Sequence, residues 1–415
     1  MELTPPGQLF RADFRSAQES PKGAIKLLQW NIERGYQLAG IIEELRRIDA
    51  DILSLQEVDV GCDRSGGVDT GIEIAKALGL NYVFLCEFEE LRSPLRDARS
   101  QGGGVHGNAI LSKFDFADVA VVPHRTHPVD WNNPTHPLAR REPRRGERAV
   151  LRATVTTPQG PLVAYNAHLE VFCGLLARIA QLSDIFADAR AMADAGFQHQ
   201  AILGDMNTMA HGIARLSPSY CCDHMRFRSI GMDEAVVWHR HVLPVADPRY
   251  APDSSSGSDA TRPSAGSAGP ASGVSVSGNG DAPASAQPGG SSPSEAVLSA
   301  AADQRLAAPR AQQQQQQQQQ QEKGAPQPLN PRLLAWGLSE QVAYDATNPG
   351  FFDPFDPKLT VTLDNPKYRW FGLSLMKGKL DWVLLRRLRP LSQAAGNDGY
   401  ALSDHRWLAA DVAFH

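Results

Sequence analysis

The sequence predicts an α/β fold of four layers, in which two packed mixed β-sheets are flanked by helices. Short apolar runs typical of buried strands alternate with segments of helical periodicity, beginning at residues 25–30 and 38–45. Strand-like runs at 150–156 and 162–167 are joined by the turn Thr157-Pro158-Gln159-Gly160 and therefore indicate a hairpin. Hairpins mixed with long helices favour two sheets packed face to face, with the helices outside.

The N-terminal elements follow a strand–helix–strand order. After the strand at 25–30, apolar residues recur at helical spacing over 38–45, and residues 52–55 begin a second strand. Such a crossover between parallel strands is right-handed, so we expect Asn31 and Glu57 to lie close together at one sheet edge. The later elements expected are a helix over 72–80, a strand at 82–85, a Gly-rich loop entering a strand at 102–113, a helix over about 175–195, and strands at 201–203, 379–385 and 407–412.

Composition divides the 415 residues into one domain and two other segments. Residues 246–330 are rich in Ser, Gly, Pro and Ala and include ten consecutive glutamines at 312–321. Because this segment has too few large apolar side chains to offset its ordering entropy, we predict a disordered insertion. The sequence does not indicate which proteins the insertion binds. Residues 1–22 are expected to form a flexible tail. Residues 23–245 and 331–415 are expected to form a single domain, which we expect to be monomeric.

Charge and cysteine content narrow the class of protein. The net charge is −5, and residues 251–329 contribute −2 of it through six acidic and four basic residues. The domain is therefore near neutral and does not resemble a general nucleic-acid binder. One local exception is a set of five arginines within nine residues: Arg140, Arg141, Arg144, Arg145 and Arg148. A solvated loop would explain them, but beside a hydrolytic site phosphate attraction is the favoured interpretation.

The cysteines and the hydropathy pattern indicate the cellular compartment of the protein. Five scattered cysteines without metal-binding spacing indicate reduced thiols in a reducing compartment. The sequence has no apolar run of membrane-spanning length, so we expect no membrane span. We therefore expect an intracellular protein, cytoplasmic or nuclear, and import into an organelle stays open as an alternative.

Polar side chains occur at or near the ends of six apolar runs. They are Asn31, Glu57, Asn166, His168, Asp205, Asn207, Asp381, Ser403, Asp404 and His405. Charged groups are seldom found in buried strands. Several strand ends that carry them are therefore expected to converge on one site. Such an arrangement is what a metal-assisted hydrolase needs.

The pieces LLQWNI, LQEVD, GNAILS, NAHLE, LGDMN, KLDWVLL and LSDH, in this order, resemble the endonuclease/exonuclease/phosphatase superfamily, which has the DNase I-like fold. The resemblance spans residues 25–245 and 331–415. It implies an enzyme that hydrolyses phosphoester bonds with Mg²⁺, or with Mn²⁺ as the alternative ion.

The resemblance also implies roles for individual residues. Asn31, Glu57 and Asp404 correspond to the metal site, and Asn108, Arg148 and Asn166 to substrate contacts. The catalytic set comprises Asp205 for the attacking water, Asn207 for a phosphate oxygen, and His168 and His405 for the scissile phosphate, with Asp381 supporting His405. Hydrolysis of a phosphodiester builds negative charge on its oxygens, which explains why these residue types are needed together.

The substrate is less determined than the reaction. His168 in NAHLE resembles the DNase, sphingomyelinase, deadenylase and tyrosyl-DNA phosphodiesterase branches, and Asp381-Trp382 departs from the inositol 5-phosphatase motif. We expect a nuclease or a nucleic-acid end-processing enzyme, with a small-molecule or lipid phosphoesterase as the alternative. A non-catalytic interaction protein that uses the glutamine run is a further alternative, although no expected catalytic position is substituted. For the aromatic segments at 351–355 and 370–371, packing onto the domain is favoured over stacking on a base.

Overall fold

The computed structural model describes residues 3–16, 23–209, 214, 216–228, 233–250, 329–364, 366, 369–374 and 376–415. These residues belong to one compact unit. The predicted disordered insertion lies outside the described residues from 251 to 328. Among the described residues, no helix has the length and apolar character that a membrane crossing requires.

The strands fall into two large sheets and one small hairpin. They are β1 (Leu9–Asp13), β2 (Ile25–Asn31), β3 (Ile52–Val60), β4 (Asn81–Glu90), β5 (Val105–Ser112), β6 (Asp115–Pro123), β7 (Arg144–Gly146), β8 (Ala149–Thr157), β9 (Gly160–His168), β10 (Gln200–Asp205), β11 (Arg369–Trp370), β12 (Leu373–Ser374), β13 (Asp381–Arg386), β14 (Leu388–Gly396) and β15 (Trp407–Phe414). Sheet one has the order β1-β4-β5-β3-β2-β15-β14, with β7 paired to β4. Sheet two has the order β13-β10-β9-β8-β6, and β11 pairs with β12.

Helices cover the outer face of each sheet. They are α1 (Leu38–Ile48), α2 (Thr70–Leu78), α3 (Pro137–Arg141), α4 (Leu175–Asp194), α5 (Met225–Arg228), α6 (Glu234–His241), α7 (Pro331–Ala335) and α8 (Glu340–Asp345). One buried cluster, including Leu27 and Leu203, fills the space between the sheets. A second cluster packs α1 and α2 on sheet one, and a third packs α4 and α6 on sheet two. The predicted four-layer α/β sandwich is therefore confirmed.

Local sequence explains where the helices begin and end. Helix α2 starts two residues earlier than its apolar pattern predicts, because the Asp69 side chain accepts a hydrogen bond from the Ile72 backbone N–H and caps the helix. It stops at Gly79, whose φ of 63° is in the left-handed region that favours glycine at a helix end.

The strand directions explain why the polar residues meet. In sheet one, β2 runs parallel to β3, and β15 is antiparallel to β2, so β15 begins where β2 ends. In sheet two, β10 runs parallel to β9 and antiparallel to β13. The carboxyl ends of β2, β3, β9 and β10 and the amino ends of β13 and β15 thus carry the polar residues.

Two predicted boundaries are wrong at their ends. The expected flexible tail over 1–22 includes Leu9–Asp13, which pairs with β4 at the edge of sheet one. The expected insertion over 246–330 includes Ala246, which forms a bridge with Asn348, and Asn330, whose side chain caps α7. Strands β6 and β14 were not expected either. Both are edge strands with many exposed or partly exposed residues, because one face of an edge strand contacts solvent.

Candidate active site

A cleft of about 480 Å³ opens at the polar strand ends. Seven of the residues expected at the site line it: Glu57, Arg148, His168, Asp205, Asn207, Asp404 and His405. Residues that are up to 348 positions apart in the chain, from Glu57 to His405, therefore face one cavity. The predicted convergence on a single site is what the structure shows.

Asp205 occupies the centre of the sheet-two side. Strand pairing places it beside His168 on one neighbouring strand and beside Asp381 on the other. Its Oδ1 accepts a hydrogen bond of 2.8 Å from the Asn207 backbone N–H. Burial raises the pKa of Asp205 to about 7, with His405 opposing the rise and Asp381 adding to it. The carboxyl group can therefore gain or lose a proton near neutral pH.

His405 is held by Asp381 from behind. Its Nδ1 lies 2.8 Å from Asp381 Oδ2, and the other oxygen of Asp381 accepts a hydrogen bond of 2.8 Å from Gln29. Burial alone would lower the pKa of His405, but the carboxylates of Asp381 and Asp205 outweigh it and hold that pKa well above its ordinary value. These carboxylates favour the protonated ring, and its Nε2 is 3.7 Å from Asp205 Oδ2.

His168 differs from His405 in its charge. Its Nε2 is also 3.7 Å from Asp205 Oδ2. Burial lowers the pKa of His168 well below its ordinary value, and the nearby Arg148 adds to the effect. Its Nδ1 is buried without a hydrogen-bond partner among the described residues. Asp205 thus lies between a neutral imidazole and a charged one.

Glu57 occupies the sheet-one side on a distorted strand. The pairing of β3 with β5 shifts register between Leu55 and Val58, and Glu57 has a φ of 58°. Such a bulge redirects a side chain, here toward the cleft. Burial would raise the pKa of Glu57, but Arg34, 3.8 Å away, and His106 lower it to about 2.

Glu57 and Asp404 have the chemistry of a divalent-metal site. Burial raises the pKa of Asp404 to about 6, and the charges of Glu33 and Glu57 contribute to the rise. Carboxylates whose mutual repulsion raises a pKa are stabilised by a bound cation, and carboxylate oxygens are the ligands that hard divalent ions prefer. Glu57 and Asp404 thus have the chemistry to hold a divalent ion, and the ligand atoms of a second set, Asp205, Asp381 and His405, lie within 4.8 Å of one another.

Asn31 does not present an oxygen to this site. Its Oδ1 accepts a hydrogen bond of 3.1 Å from the Glu33 backbone N–H, which determines the orientation of the amide. Its Nδ2 donates to Glu57 at 3.3 Å and to Asp205 at 3.1 Å. The role of Asn31 in metal binding stays a prediction, and in this structure its amide donates to one carboxylate from each sheet.

Two of the three expected substrate contacts lie away from the cleft. Asn166 is fully buried and donates to the carbonyl oxygens of Leu55 and Ala109, so its expected contact with substrate is wrong. Asn108 is also fully buried in β5 and does not line the cleft. Arg148 does line it and donates to Glu87 at 2.8 Å. Sequence patterns cannot separate these cases, because side-chain orientation depends on how the strands pair.

Acidic partners offset most of the arginine cluster. Arg144 and Arg148 face the cleft, with Arg144 paired to Glu142 and stacked 4.3 Å from the Trp131 ring centroid. Arg145 is 3.7 Å from Glu89. The phosphate-binding interpretation therefore applies to part of the cluster, and charge steering by the whole set is weaker than the sequence indicates.

The aromatic segments divide between core and surface. Phe351 and Phe355 are buried, as the packing interpretation predicts, but Phe352 between them is 41% exposed. Phe351 stacks on Phe186 with ring centroids 5.7 Å apart. Trp370 and Phe371 are 62% and 88% exposed, respectively, so the packing prediction is wrong for them.

Sequence reasoning missed Arg34 and His106, which also line the cleft. His106 Nδ1 is 2.8 Å from Asp59, and Arg64 also contacts that carboxylate. Each missed residue lies within three positions of a recognised motif, Arg34 after LLQWNI and His106 before GNAILS. That proximity was the available signal.

Two packed sheets whose strand ends bring carboxylates and histidines to one cleft define an α/β-sandwich hydrolase. The chain belongs to the Endonuclease/Exonuclease/phosphatase family, whose model matches residues 28–405. It is a metal-dependent enzyme that hydrolyses phosphoester bonds, as members of this family do. The sequence has no match among curated proteins.

Several solved structures are similar to this chain. The human Nocturnin catalytic domain with bound sulfate anion has 16% identity and a TM-score of 0.42, over 99% of this chain and 100% of that one. TDP2 from Caenorhabditis elegans has 13% identity and a TM-score of 0.44, over 96% and 77%. An endonuclease/exonuclease/phosphatase from Beutenbergia cavernae DSM 12333 has 13% identity and a TM-score of 0.41, over 95% and 72%.

Proposed function

We propose that this protein is a Mg²⁺-dependent phosphodiesterase that acts on nucleic acid, as a nuclease or an end-processing enzyme. The observation that carries the proposal is the arrangement of Asp205 between His168 and His405, across the cleft from Glu57 and Asp404. A group that exchanges protons near neutral pH and two imidazoles of different charge meet the needs of phosphodiester hydrolysis.

Each side chain has a defined task in this proposal. Asp205 accepts the proton of the attacking water, for which a pKa of about 7 is suited. The His405 imidazolium and a ring N–H of His168 stabilise negative charge on the phosphate oxygens. Asp381 keeps His405 protonated and fixes its ring. A bound Mg²⁺ at Glu57 and Asp404 would supply further charge neutralisation.

The aromatic wall of the cleft favours nucleic acid as the substrate. Trp131, Phe172 and Tyr220 line the cleft and contact one another in sequence, with ring centroids 6.1 Å and 5.7 Å apart. Trp131 is buried, so Phe172 and Tyr220 are the partly exposed rings of this wall. Stacking on aromatic rings is how proteins bind unpaired bases without requiring a particular sequence. Arg144, stacked on Trp131, adds a cation at the same wall.

A small-molecule or lipid phosphoester is the second candidate. The pairing of Arg144, Arg145 and Arg148 with glutamates favours it, because a strongly cationic track along the surface would suit a long polyanion better. The near-neutral charge of the domain points the same way.

A substrate panel distinguishes the candidates. The protein is incubated with Mg²⁺ or Mn²⁺ and with single- and double-stranded DNA, RNA and bis-p-nitrophenyl phosphate, with EDTA added to parallel samples. We expect oligonucleotide cleavage that EDTA abolishes and that Asp205→Asn lacks. Asp118→Asn, on the far edge strand of the same sheet, is the matched control and should retain full activity. Turnover of the small ester alone, with no competition by oligonucleotides, would contradict the nucleic-acid proposal.

We also propose a monomer located in the cytoplasm or nucleus. The support for the location is that the five cysteines, all among the described residues, form no disulfide and four of them are buried, which suits a reducing compartment. Light scattering tests the first statement, and imaging of the tagged protein tests the second.

A further inference from the structure

A second cleft adjoins the catalytic one. It has a volume of about 370 Å³, and its wall contains four arginines: Arg34, Arg64, Arg96 and Arg141. Arg34, Ser100 and Glu142 line both clefts, so the two cavities are neighbours that share part of a wall. Glu142 is the one carboxylate of the second cleft among the described residues, and it is paired with Arg144. None of the proposed catalytic steps uses the second cleft.

Two arginines of the second cleft are held in place by hydrogen bonds to buried carboxylates. Arg64 and Arg96 both donate to Glu90 Oε2, at 3.2 Å and 2.8 Å, and Arg64 also forms two hydrogen bonds of 2.8 Å to Asp59. Both arginine side chains are only 4% exposed. Arginines fixed in this way lose little freedom when they bind a ligand, which favours affinity.

The other two arginines have fewer partners. Arg141 lies at the end of α3 and is exposed, and the described residues offer it no salt bridge. Arg34 stands where the two clefts join. Its Nε is buried without a hydrogen-bond partner among the described residues, although it is 3.8 Å from Glu57. The cleft thus has cationic groups whose hydrogen-bonding capacity is incompletely used.

The backbone at Arg34 adopts an unusual conformation. Glu33, Arg34 and Gly35 have φ angles of 46°, 62° and 70° in succession, and the first two are not glycine. Backbone strain of this kind persists where the surrounding structure enforces it, and it is concentrated at ligand sites. The turn places the Arg34 guanidinium between Glu57 and the second cleft.

We propose that the second cleft binds a further phosphate group of the substrate, one that is not hydrolysed. The ligand is a second phosphate on the same nucleic-acid strand, either a neighbouring backbone phosphodiester or a terminal monophosphate. Guanidinium groups match phosphate oxygens in geometry and charge, and several convergent arginines select phosphate over neutral groups. This subsite rests on the proposed function, which it deepens by stating what the substrate must carry.

Arg141 is the residue to change, because it is exposed and lines only the second cleft. We expect Arg141→Gln to raise KM for oligonucleotides about 10-fold, the loss of one charged hydrogen bond, with kcat little changed. Turnover of bis-p-nitrophenyl phosphate, which has a single phosphate, should stay within about two-fold of the wild type. Arg141→Lys should recover part of the affinity, because it restores the charge without the fork geometry.

Arg145→Gln is the matched control. Arg145 belongs to the same arginine cluster, is 65% exposed and pairs with Glu89, but it does not line either cleft. Its substitution should leave KM unchanged for every substrate. Short oligonucleotides with and without a phosphate at each end separate the two sources of the second phosphate. If Arg141→Gln raises KM only for oligonucleotides with a phosphorylated end, the subsite binds a terminal phosphate. If it raises KM for all of them, the subsite binds a backbone phosphate.

Two outcomes would overturn the subsite. In the first, Arg141→Gln loses the same fraction of activity on oligonucleotides as on bis-p-nitrophenyl phosphate. In the second, Arg141→Gln has the wild-type KM for every oligonucleotide. A wild type without turnover would refute the proposed function instead. In that case, anisotropy of a labelled, phosphorylated oligonucleotide still decides the question. Binding that Arg141→Gln weakens and Arg145→Gln does not supports the subsite, and binding that is indifferent to both rejects it.

Discussion

Two carboxylates on opposite sides of the cleft share one amide but differ in their protonation. The Nδ2 group of Asn31 donates to Glu57 on sheet one at 3.3 Å and to Asp205 on sheet two at 3.1 Å. Despite this common partner, the pKa of Glu57 is lowered to about 2 and that of Asp205 is raised to about 7.

The surroundings explain the difference. Both groups are desolvated, which raises a carboxyl pKa, but Arg34 and His106 outweigh this effect at Glu57. Asp205 ends a regular strand and has Asp381 directly opposite in the pairing, so a second carboxylate adds to its rise. Neighbouring titratable groups whose pKa values are driven apart have different chemical tasks. Glu57 is suited to stay charged and bind a cation, and Asp205 to exchange protons.

The largest effect is expected at Asp205. Asp205→Asn removes the proton acceptor, so we expect kcat to fall by about 10³-fold. Because the substitution also removes a charge opposite Asp381, thermal unfolding should occur at the same temperature or higher. Calorimetry and single-turnover kinetics measure the two changes. A stable Asp205→Asn variant that retains the wild-type kcat would show that Asp205 does not exchange protons in the reaction, and so would contradict the difference proposed between Asp205 and Glu57.

Glu57→Gln tests the cation side. Removal of a carboxylate ligand should raise the Mg²⁺ concentration for half-maximal activity by at least about 10-fold, together with a loss of rate at saturation. Isothermal titration with Mn²⁺ gives a second readout that is independent of turnover. Glu89→Gln, which changes a half-exposed glutamate on strand β4 of the same sheet, is the control. If both variants bind the ion like the wild type, Glu57 is not a ligand.

Asn31→Ala tests the bridge between the two sides. The amide donates to the charged form of each carboxylate, so its removal raises the pKa of Asp205 further. The acid limb of the kcat profile should move to higher pH, and the rate at neutral pH should fall by roughly 10-fold. A pH–rate profile measures this, and an unmoved limb with a uniformly lower rate would indicate a structural role only.

Asp69 tests whether a raised carboxyl pKa by itself marks a catalytic group. Burial raises the pKa of this α2 cap from 3.8 to about 6, so the folded state binds more protons than the unfolded state between these values. The contribution of Asp69 to the free energy of unfolding should therefore fall as pH rises from about 4 to about 6, by about 3 kcal/mol at most. Asp69→Asn keeps the capping acceptor and should abolish that slope without affecting turnover. Denaturant titrations at several pH values provide the measurement. Loss of activity in Asp69→Asn would contradict the view that Asp69 is structural and not catalytic.

The smallest effect is expected from the insertion. We propose that residues 251–328 are not needed for catalysis, because the chain on either side is anchored in the domain: Tyr250 donates to Asp194, and Asn330 donates to the His241 carbonyl. Replacement of 251–328 by a short Gly/Ser linker should leave kcat/KM within a few-fold and both carboxylates unaffected. A complete loss of activity would show that the insertion contributes to the site.

Much of the fold was predictable because buried strands and helices have strong local patterns. The strands that contain Asn31, Glu57, His168 and Asp205 were expected at nearly their observed places. Edge strands such as β1 and β14 were missed, since backbone pairing with a neighbour stabilises them and leaves little apolar pattern.

The sequence by itself determined the class of fold and which chemical groups stand at the strand ends, since both follow from local periodicity and the order of motifs. Only the tertiary structure decided what each group does. It turned Asn166 inward, oriented the Asn31 amide between two carboxylates, and paired the arginines with glutamates. It also separated the pKa values of Glu57 and Asp205. These properties depend on cross-strand register and desolvation, which arise only when distant segments meet.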